Sequence, residues 1–240
     1  MVLGNPWRGT IVSRYPAANR NRSARNRARR QVVLVFGEDE NDTRAIAELI
    51  VAACPELIGK VKPRARPPVL IKDARPEHVP SRAATIAAII DVERVSADVV
   101  CVFAHEDCDA LEPAHEDVTR RIEDALAAQG HRVHAVAPAW EMEAWWFQWP
   151  AAVASYRPSW KRLPDTHRNF GQVQDAKEQL TRALRPTARG SKKTRDYSVT
   201  DAPAIARKVR ELGIVRTPIG RSDSFNAFLS SVESCCGSLA

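Results

Sequence analysis

Residues 31–53 read QVVLVFGEDENDTRAIAELIVAA. The stretch begins with a continuous apolar run over residues 32–36, rich in β-branched side chains, which is typical of a strand buried on both faces. A glycine ends the run, and an acidic loop follows over residues 38–42. Apolar residues then recur at helical spacing, with Asp42 or Thr43 as the expected N-cap. The stretch therefore predicts a strand, a loop and a helix.

The same pattern returns later in the chain. Residues 98–104 contain a second apolar strand, and residues 132–137 predict a third. Helices are expected between the strands, at about residues 81–95 and at residues 116–130, where a glycine provides the stop. Strands that alternate with helices favour a parallel sheet with helices on both faces, so the expected fold class is α/β.

The remaining segments carry weaker patterns. Residues 60–80 are rich in proline and basic residues and are expected to be irregular, apart from one short strand at residues 69–71. Residues 140–146 predict a short helix that ends at Pro150. Three later helices are expected at residues 172–184, 202–212 and 222–233. The expected organisation is a tail over residues 1–30, an α/β domain over 31–155 and a mainly helical portion over 156–240 packed on it.

The net charge of +7 originates in the N-terminal tail. Residues 1–30 contain eight arginines and no Asp, Glu or Lys, so subtracting eight from +7 leaves about −1 for residues 31–240. The tail has no apolar period and is expected to be disordered. It either contacts nucleic-acid phosphates or is a solvated extension.

The five cysteines predict neither a disulfide framework nor a zinc site, because their number is odd and no CxxC pair occurs. Cys54 and Cys101 lie in apolar segments and are expected to be buried core residues. Cys108 is discounted as a nucleophile because its acidic neighbours would raise the pKa of its thiol. No apolar run approaches the ~20 residues that span a bilayer, and no secretory signal is seen. A cytoplasmic protein without membrane association is expected.

Acidic residues follow each of the three apolar strands: Glu38 after the first, Asp107 and Asp109 after the second, Glu141 and Glu143 after the third. Right-handed crossovers bring the carboxyl ends of such strands to one edge, where ligand sites form. In an extended segment Asp107 and Asp109 point the same way. Only one of the two glutamates can face the site, and we favour Glu143. Oxygen ligands of this kind suit Mg²⁺ or Mn²⁺, although separate solvated loops would show the same composition.

Three further features have two interpretations each. His105 is either a ligand or general base, or a structural histidine. The tryptophans of residues 140–149 favour core packing over base stacking. Lys192, Lys193 and Arg195 belong to a basic loop that either binds nucleic-acid phosphates or is merely solvated.

The order of these motifs resembles the TOPRIM domain of topoisomerases, primases, overcoming-lysogenization-defect nucleases and small RNA-maturation nucleases. The resemblance lies in E-x-x-x-D at residues 38–42 and D-x-D at residues 107–109, each following a strand. E-A-W at residues 143–145 and D-S-F-x-x-F at residues 223–228 resemble a TOPRIM-like group catalogued as a domain of unknown function. Together the similarities span residues 31–232.

The resemblance implies that Glu38 is a general acid/base or metal ligand and that Asp107 and Asp109 bind Mg²⁺. With Glu143, favoured above to complete the site, these residues form the expected catalytic set, and the expected cofactor is Mg²⁺ or Mn²⁺. The implied reaction is attack on a phosphodiester. TOPRIM domains usually have glycine directly after the catalytic glutamate, and Asp39 at that position predicts a different loop conformation. Nucleic acid is the implied partner. Family members are often encoded beside an ATPase and are suspected in phage defence, and a homo-oligomer is also kept open.

Three functions compete at this point. The first is a metal-dependent nuclease. The second is a non-catalytic nucleic-acid-binding or regulatory subunit with a degenerate TOPRIM site. It would act with a separate ATPase, because the chain has no Walker-type GxxxxGK[ST] motif. The third is a phosphatase or another phosphoryl-transfer enzyme acting on a small substrate. The basic tail and the basic loop favour nucleic acid.

Overall fold

The computed structural model of the chain describes Met1 and residues 29–185 and 195–239. The predictions made for the disordered tail therefore lie almost entirely outside the described residues. The same holds for the predicted phosphate-binding residues Lys192 and Lys193.

Four parallel strands form one sheet in the order β2-β1-β3-β4. The strands are β1 Gln31–Phe36, β2 Val61–Arg64, β3 Asp98–His105 and β4 His134–Val136. Each neighbouring pair runs parallel. The predicted α/β class, with a parallel sheet flanked by helices and a helical C-terminal portion, is confirmed.

The apolar run of β1 is explained by burial on both faces. Successive side chains of a strand point to opposite sides. Val33 and Val35 therefore enter one core cluster, whereas Leu34 and Phe36 enter the other. All four side chains are fully buried.

Eight helices cover the sheet within the described residues. They are α1 Glu40–Ala53, α2 Val79–Ser96, α3 His115–Ala127, α4 Glu143–Trp146, α5 Pro150–Tyr156, α6 Ala176–Leu184, α7 Ala202–Glu211 and α8 Asp223–Gly237. Helices α2 and α3 pack on one face, and α1 packs on the other together with the later helices. Leu180, Ile205 and Phe228 share one core cluster with Val33 and Val35, so the helical C-terminal portion closes a face of the sheet.

The strand predicted at residues 69–71 is wrong. Val69 and Ile71 are fully buried, but they lie in a loop, where the Val69 N–H donates to the carbonyl of Gly37 directly after β1. The neighbouring strand is β2, which pairs with β1 alone and contains Pro63. An edge strand tolerates proline and charged residues, so β2 lacks the apolar pattern that reveals a central strand.

Some helix boundaries also differ from the prediction. Helix α6 begins at Ala176, several residues after the predicted start near residue 172. Pro150 was expected to end a helix, but it begins α5 instead. A proline fits the first turn of a helix because no intrahelical partner exists there for the missing N–H.

The prediction of no disulfide framework is wrong. Cys54 is bonded to Cys236 and Cys101 to Cys235, which ties the end of α8 to the end of α1 and to β3. The paired cysteines are 182 and 134 residues apart in sequence, so spacing gave no sign of them. Cys108 is a buried free thiol. No described helix is long and apolar enough to cross a membrane.

Candidate metal centre

The loops that follow β1, β3 and β4 meet at Asp107. The backbone N–H of Asp107 donates to Glu38 Oε1 at 3.1 Å. The Oδ1 atom of Asp107 accepts from the backbone N–H of Met142, also at 3.1 Å. Asp107 thus links the loop after β1 to the loop after β4. The predicted convergence of these loops at the carboxyl edge of the sheet is observed.

Asp39 is the N-cap of α1, and the prediction of Asp42 or Thr43 for that role is wrong. The Asp39 side chain accepts from the backbone N–H groups of Asn41 at 2.6 Å and Asp42 at 2.9 Å. Its φ of −134° is extended, a conformation that does not require glycine. Asp39 therefore starts the helix.

With Asp39 as the cap, Asp42 lies in the first turn of α1 and adds a carboxylate to the site. Burial raises the pKa of Asp42 to about 6. The charge of His105 opposes this rise, and that of Asp107 adds to it. The sequence interpretation gave Asp42 only a capping role, although its place four residues after Glu38 already put it in the E-x-x-x-D motif.

His105 ends β3 and is fully buried beneath these carboxylates. Its Nε2 atom lies 3.2 Å from Asp107 Oδ1. Burial lowers the pKa of His105, but the bond to Asp107 and the charges of Asp42 and Glu38 outweigh burial and raise it to about 9. A Cβ atom at Gly37 would lie 2.8 Å from Thr43 Cγ2 and 3.4 Å from His105 Nδ1, so the glycine permits the first turn of α1 to lie close to the end of β1.

Glu38 and Glu143 both titrate close to neutral pH. Burial, followed by the charge of Asp107, raises the pKa of each carboxyl to about 7. The buried Glu143 Oε1 also accepts a hydrogen bond from the Tyr197 hydroxyl at 3.0 Å. The charges of His105 and Lys72 oppose the rise at Glu38 but do not cancel it, so the acidic groups outweigh the positive charge around them.

Glu141 also lies near Asp107. Its Oε2 atom accepts from the backbone N–H of Lys177 in the first turn of α6 at 3.0 Å. Burial raises the pKa of Glu141, and the charge of Asp107 adds to the rise. Both glutamates therefore experience the charge of Asp107, and our preference for Glu143 stays a prediction.

Asp109 is oriented differently from the prediction. Its φ of 54° is left-handed, so residues 107–109 are not extended and the expected parallel orientation of the two aspartates is wrong. The exposed Asp109 carboxylate pairs with the ammonium group of Lys72. Lys72 Nζ also donates to the Asp107 carbonyl at 2.7 Å. Asp109 thus belongs to an ion pair at the rim, and its predicted metal-binding role stays a prediction that this pair disfavours.

Glu106, which the sequence analysis did not single out, positions that lysine. Its buried carboxylate accepts from the backbone N–H groups of Ile71 and Lys72, the latter at 2.7 Å. Burial raises the pKa of Glu106, and these two hydrogen bonds oppose the rise. The sequence feature that could have identified Glu106 is its position directly after the apolar run of β3.

The chemistry of the donors fits a hard divalent cation, because Glu38, Asp42, Asp107 and Glu143 offer only oxygen. Within the described residues, however, no three of these carboxylates bring their oxygens within 4.8 Å of one another. Binding would therefore require the side chains to close in. Cys54, Glu56 and Cys236 do meet that distance, but the two sulfurs are bonded to each other and are not thiolate ligands.

Outside this cluster, both the side chain and the carbonyl of Arg195 are bonded to other residues of the fold. Its guanidinium group pairs with both carboxylate oxygens of the fully buried Asp201, one of them at 2.8 Å. Its carbonyl accepts from Trp160 Nε1 at 2.8 Å. The predicted role of Arg195 in nucleic-acid binding stays a prediction. Trp145, Trp146 and Trp149 are buried in the core, as the sequence interpretation favoured.

Comparisons of this chain with protein-family models, with curated proteins and with solved structures find no match. The class of protein is therefore defined by the molecule itself: an α/β protein with a cluster of carboxylates and one histidine at the carboxyl edge of a parallel sheet.

Proposed function

We propose that this chain is a nuclease that depends on Mg²⁺ or Mn²⁺ and cleaves phosphodiester bonds of DNA or RNA. The observation that supports the proposal most is the meeting of three loops at Asp107. Burial at this point, together with the charge of Asp107, raises the pKa values of Glu38 and Glu143 to about 7. Clustered acids with strongly raised pKa values are frequent at catalytic and cation-binding sites.

Asp107 and Glu143 are the residues that would hold the cation, with Asp42 beside them and Glu38 left free to accept a proton. When bound, a divalent cation stabilises charge that develops on the phosphoryl oxygens and makes a coordinated water more acidic. The buried His105 orients Asp107 through their 3.2 Å contact, so the position of the central ligand is fixed by the core of the protein.

Glu38 is the proposed general base. A carboxyl with a pKa of about 7 exchanges its proton readily at neutral pH. In the proposed step the water oxygen bonds to phosphorus while the bond from phosphorus to the leaving oxygen breaks. Glu38 takes the proton of the water, and the leaving oxygen receives a proton from solvent.

The alternative is a non-catalytic nucleic-acid-binding or regulatory subunit with a degenerate site. The observation that favours it is Lys72, whose ammonium group occupies the side of the cluster between Asp109 and the Asp107 carbonyl. A fixed lysine supplies positive charge that a metal ion would otherwise supply. Membership of the TOPRIM-like group, an ATPase partner and a role in phage defence belong to the proposal on the strength of the motif order alone.

Cleavage assays separate the two functions. Supercoiled plasmid, single-stranded DNA and single-stranded RNA are incubated with the protein in Mg²⁺, in Mn²⁺ and in EDTA. Cleavage is expected with metal and not with EDTA, and Asp107→Asn is expected to remove it. Asp117→Asn, at an exposed position on α3, is the matched control and keeps the activity. Binding without cleavage under every condition supports the regulatory subunit.

A further inference from the structure

An open groove of about 520 Å³ lies between residues 167–169 and residues 218–221. The two segments are held together by their backbones: Phe170 N–H donates to the Arg221 carbonyl at 2.7 Å, and Arg221 N–H donates to the Arg168 carbonyl at 3.0 Å. A Cβ atom on Gly220 would lie 2.4 Å from the Arg168 carbonyl oxygen. The glycine therefore permits this close approach of the two segments.

The titratable residues that line the groove are all basic. Arg168, Arg221 and His167 line it, and no acidic residue does. Many other arginines of the described chain form ion pairs, for example Arg207 and Arg210 with Glu48. Within the described residues Arg168 and Arg221 form none, so their charges are available to an anion from outside the fold.

Aromatic rings fix the position of Arg168 without neutralising its charge. Its guanidinium carbon lies 5.4 Å from the centre of the Phe147 ring and 5.3 Å from that of Phe170. The two rings are stacked on each other, with centres 6.0 Å apart. A guanidinium held against aromatic faces keeps its charge and loses less side-chain entropy when it binds a phosphate.

The same rings connect the groove to the candidate metal centre. Phe147 caps the end of α4, four residues after Glu143, and residues four apart lie on one side of a helix about 6 Å from each other. A second connection runs through the backbone, where Glu112 N–H donates to the Gly171 carbonyl at 3.0 Å. Glu112 belongs to the loop that carries Asp107. The groove is thus joined to the carboxylate cluster through α4 and through this loop.

We infer that this groove binds the sugar–phosphate backbone of a nucleic-acid strand that extends from the carboxylate cluster, an inference that rests on the proposed function. A strand is preferred to a small anion because the groove is open and its cations stand on two separate segments. It is preferred to an acidic peptide because only a ligand with a reacting phosphodiester gains both from the arginines and from a cation held by the carboxylate cluster.

Equilibrium binding in EDTA tests the inference independently of cleavage. A fluorescent single-stranded oligonucleotide, as DNA and as RNA of the same sequence, and the corresponding duplex are titrated with the full-length protein over a series of salt concentrations. The test variant is Arg168→Gln with Arg221→Gln. The matched control is Arg120→Gln with Arg132→Gln, which removes the same charge from exposed positions at the start of α3 and before β4. Thermal melts verify that both variants fold.

Loss of two phosphate contacts is expected to weaken binding about tenfold or more and to reduce the slope of log affinity against log salt by about 2, whereas the control changes little. Equal effects in the test and control variants would contradict binding of nucleic acid in the groove. The absence of nucleic-acid binding by the wild type would contradict it as well, and so would equal competition by polyglutamate. If binding depends on Arg168 and Arg221 but the protein never cleaves, the result supports the binding role of the groove and contradicts the nuclease proposal.

Discussion

Asp107 combines three structural roles in one residue. Its N–H binds Glu38, its carboxylate accepts the Met142 N–H, and the same oxygen contacts His105. Its negative charge contributes to the raised pKa values of Glu38 and Glu143. Any change at Asp107 therefore alters the electrostatics of the whole cluster, whereas Asp109 is paired with Lys72 at the rim.

We predict that Asp107→Asn removes the stabilisation of the protein by Mg²⁺ or Mn²⁺ and leaves the stability of the metal-free protein level or slightly higher. Asparagine keeps an oxygen that can accept the Met142 N–H and contact His105, and the repulsion that it removes among the acids offsets the lost charge pairing with His105. Asp109→Asn is the matched variant and is expected to retain the metal response. Thermal melts with and without each cation measure the effect, since a ligand of the folded state raises the melting temperature. Equal metal responses in wild type and Asp107→Asn contradict the proposed centre.

Gly171 is predicted to be intolerant of any side chain. A Cβ atom there would lie 1.8 Å from the carboxyl carbon of the buried Glu112. Gly171→Ala is expected to destabilise the fold by about 1–3 kcal/mol, as overpacking usually does. Gly237→Ala is the control, because that position near the end of α8 is open, and alanine favours helix. Urea denaturation compares the two, and equal stabilities would show that Glu112 can move aside.

At the scale of elements, the amino end of α8 is held by a carboxylate from another part of the chain. Glu112 Oε1 accepts from the Ser222 hydroxyl at 2.8 Å and from the Ser224 backbone N–H at 2.9 Å. Burial raises the pKa of Glu112, but these donors outweigh burial and lower it. Ser222 is also the N-cap of the helix. The D-S-F-x-x-F motif therefore anchors a helix, and Phe225 and Phe228 fill the core.

Replacing Ser222 by alanine is expected to cost about 1–2 kcal/mol, because the helix loses its cap and Glu112 loses a buried donor. Ser231→Ala on the same helix is the control. That exposed hydroxyl bonds only to the Ala227 carbonyl, so its removal is expected to have almost no effect. Chemical denaturation of both variants gives the comparison. A destabilisation shared equally by the two would assign the effect to helix propensity and not to the cap.

The elements that sequence predicted well are those with two buried faces. Strands β1 and β3 show continuous apolar runs because they lie in the middle of the sheet, between two core clusters. Strand β2 escaped prediction because an edge strand needs only part of that pattern. The disulfide bonds escaped it because Cys235 and Cys236 meet their partners only after α8 has packed. Local pattern carries no information on such distant contacts.

The candidate site was predictable to the extent that it follows from topology. Neighbouring parallel strands place Glu38 and Asp107 side by side, and the hydrogen bond between them agrees with that prediction. The orientation of Asp109 depends on one left-handed φ angle, which a non-glycine residue adopts only in a particular loop. The choice of Asp39 over Asp42 as the helix cap depends on the same kind of local detail.

At the scale of the whole molecule, stability is predicted to depend on pH through the acid cluster. The folded pKa values of Glu38, Asp42 and Glu143, about 7, 6 and 7, lie above the ordinary values of 4.5, 3.8 and 4.5. The folded state therefore retains protons that the unfolded chain has released. Their stabilising contribution is complete below about pH 4 and is lost as the pH rises through about 7. The pKa of His105 rises from 6.5 to about 9 on folding, so its stabilising contribution is also lost as the pH rises between these values.

Stabilisation of the protein by the cation should increase with pH, because a cation competes with protons for the same carboxylates. The difference in melting temperature between Mg²⁺ and EDTA is expected to widen from about pH 5 to about pH 8. Asp107→Asn serves again as the reference, with a small difference at every pH. A difference in the wild type that is independent of pH contradicts the participation of these acids.

The covalent connectivity gives a further prediction for the intact protein. One free thiol per chain is expected after denaturation without reductant, because Cys108 is the only cysteine of the five that is not paired. Reduction is expected to lower the melting temperature, since each native disulfide typically contributes about 2–4 kcal/mol. Cys108→Ser is the control and should leave no free thiol. Five thiols in the unreduced wild type would contradict the two disulfides.

The position of α8 in the chain has a consequence for synthesis of the protein. Phe225, Phe228 and Val232 cover the face of the sheet that carries Val33 and Val35, yet the ribosome makes them about 90 residues after β4. At typical rates of translation the part of this face that α1 leaves open lacks the cover of α8 on the nascent chain for roughly 5–20 s. An apolar surface exposed for that time is a binding site for chaperones, and emergence of α8 is the event that covers it.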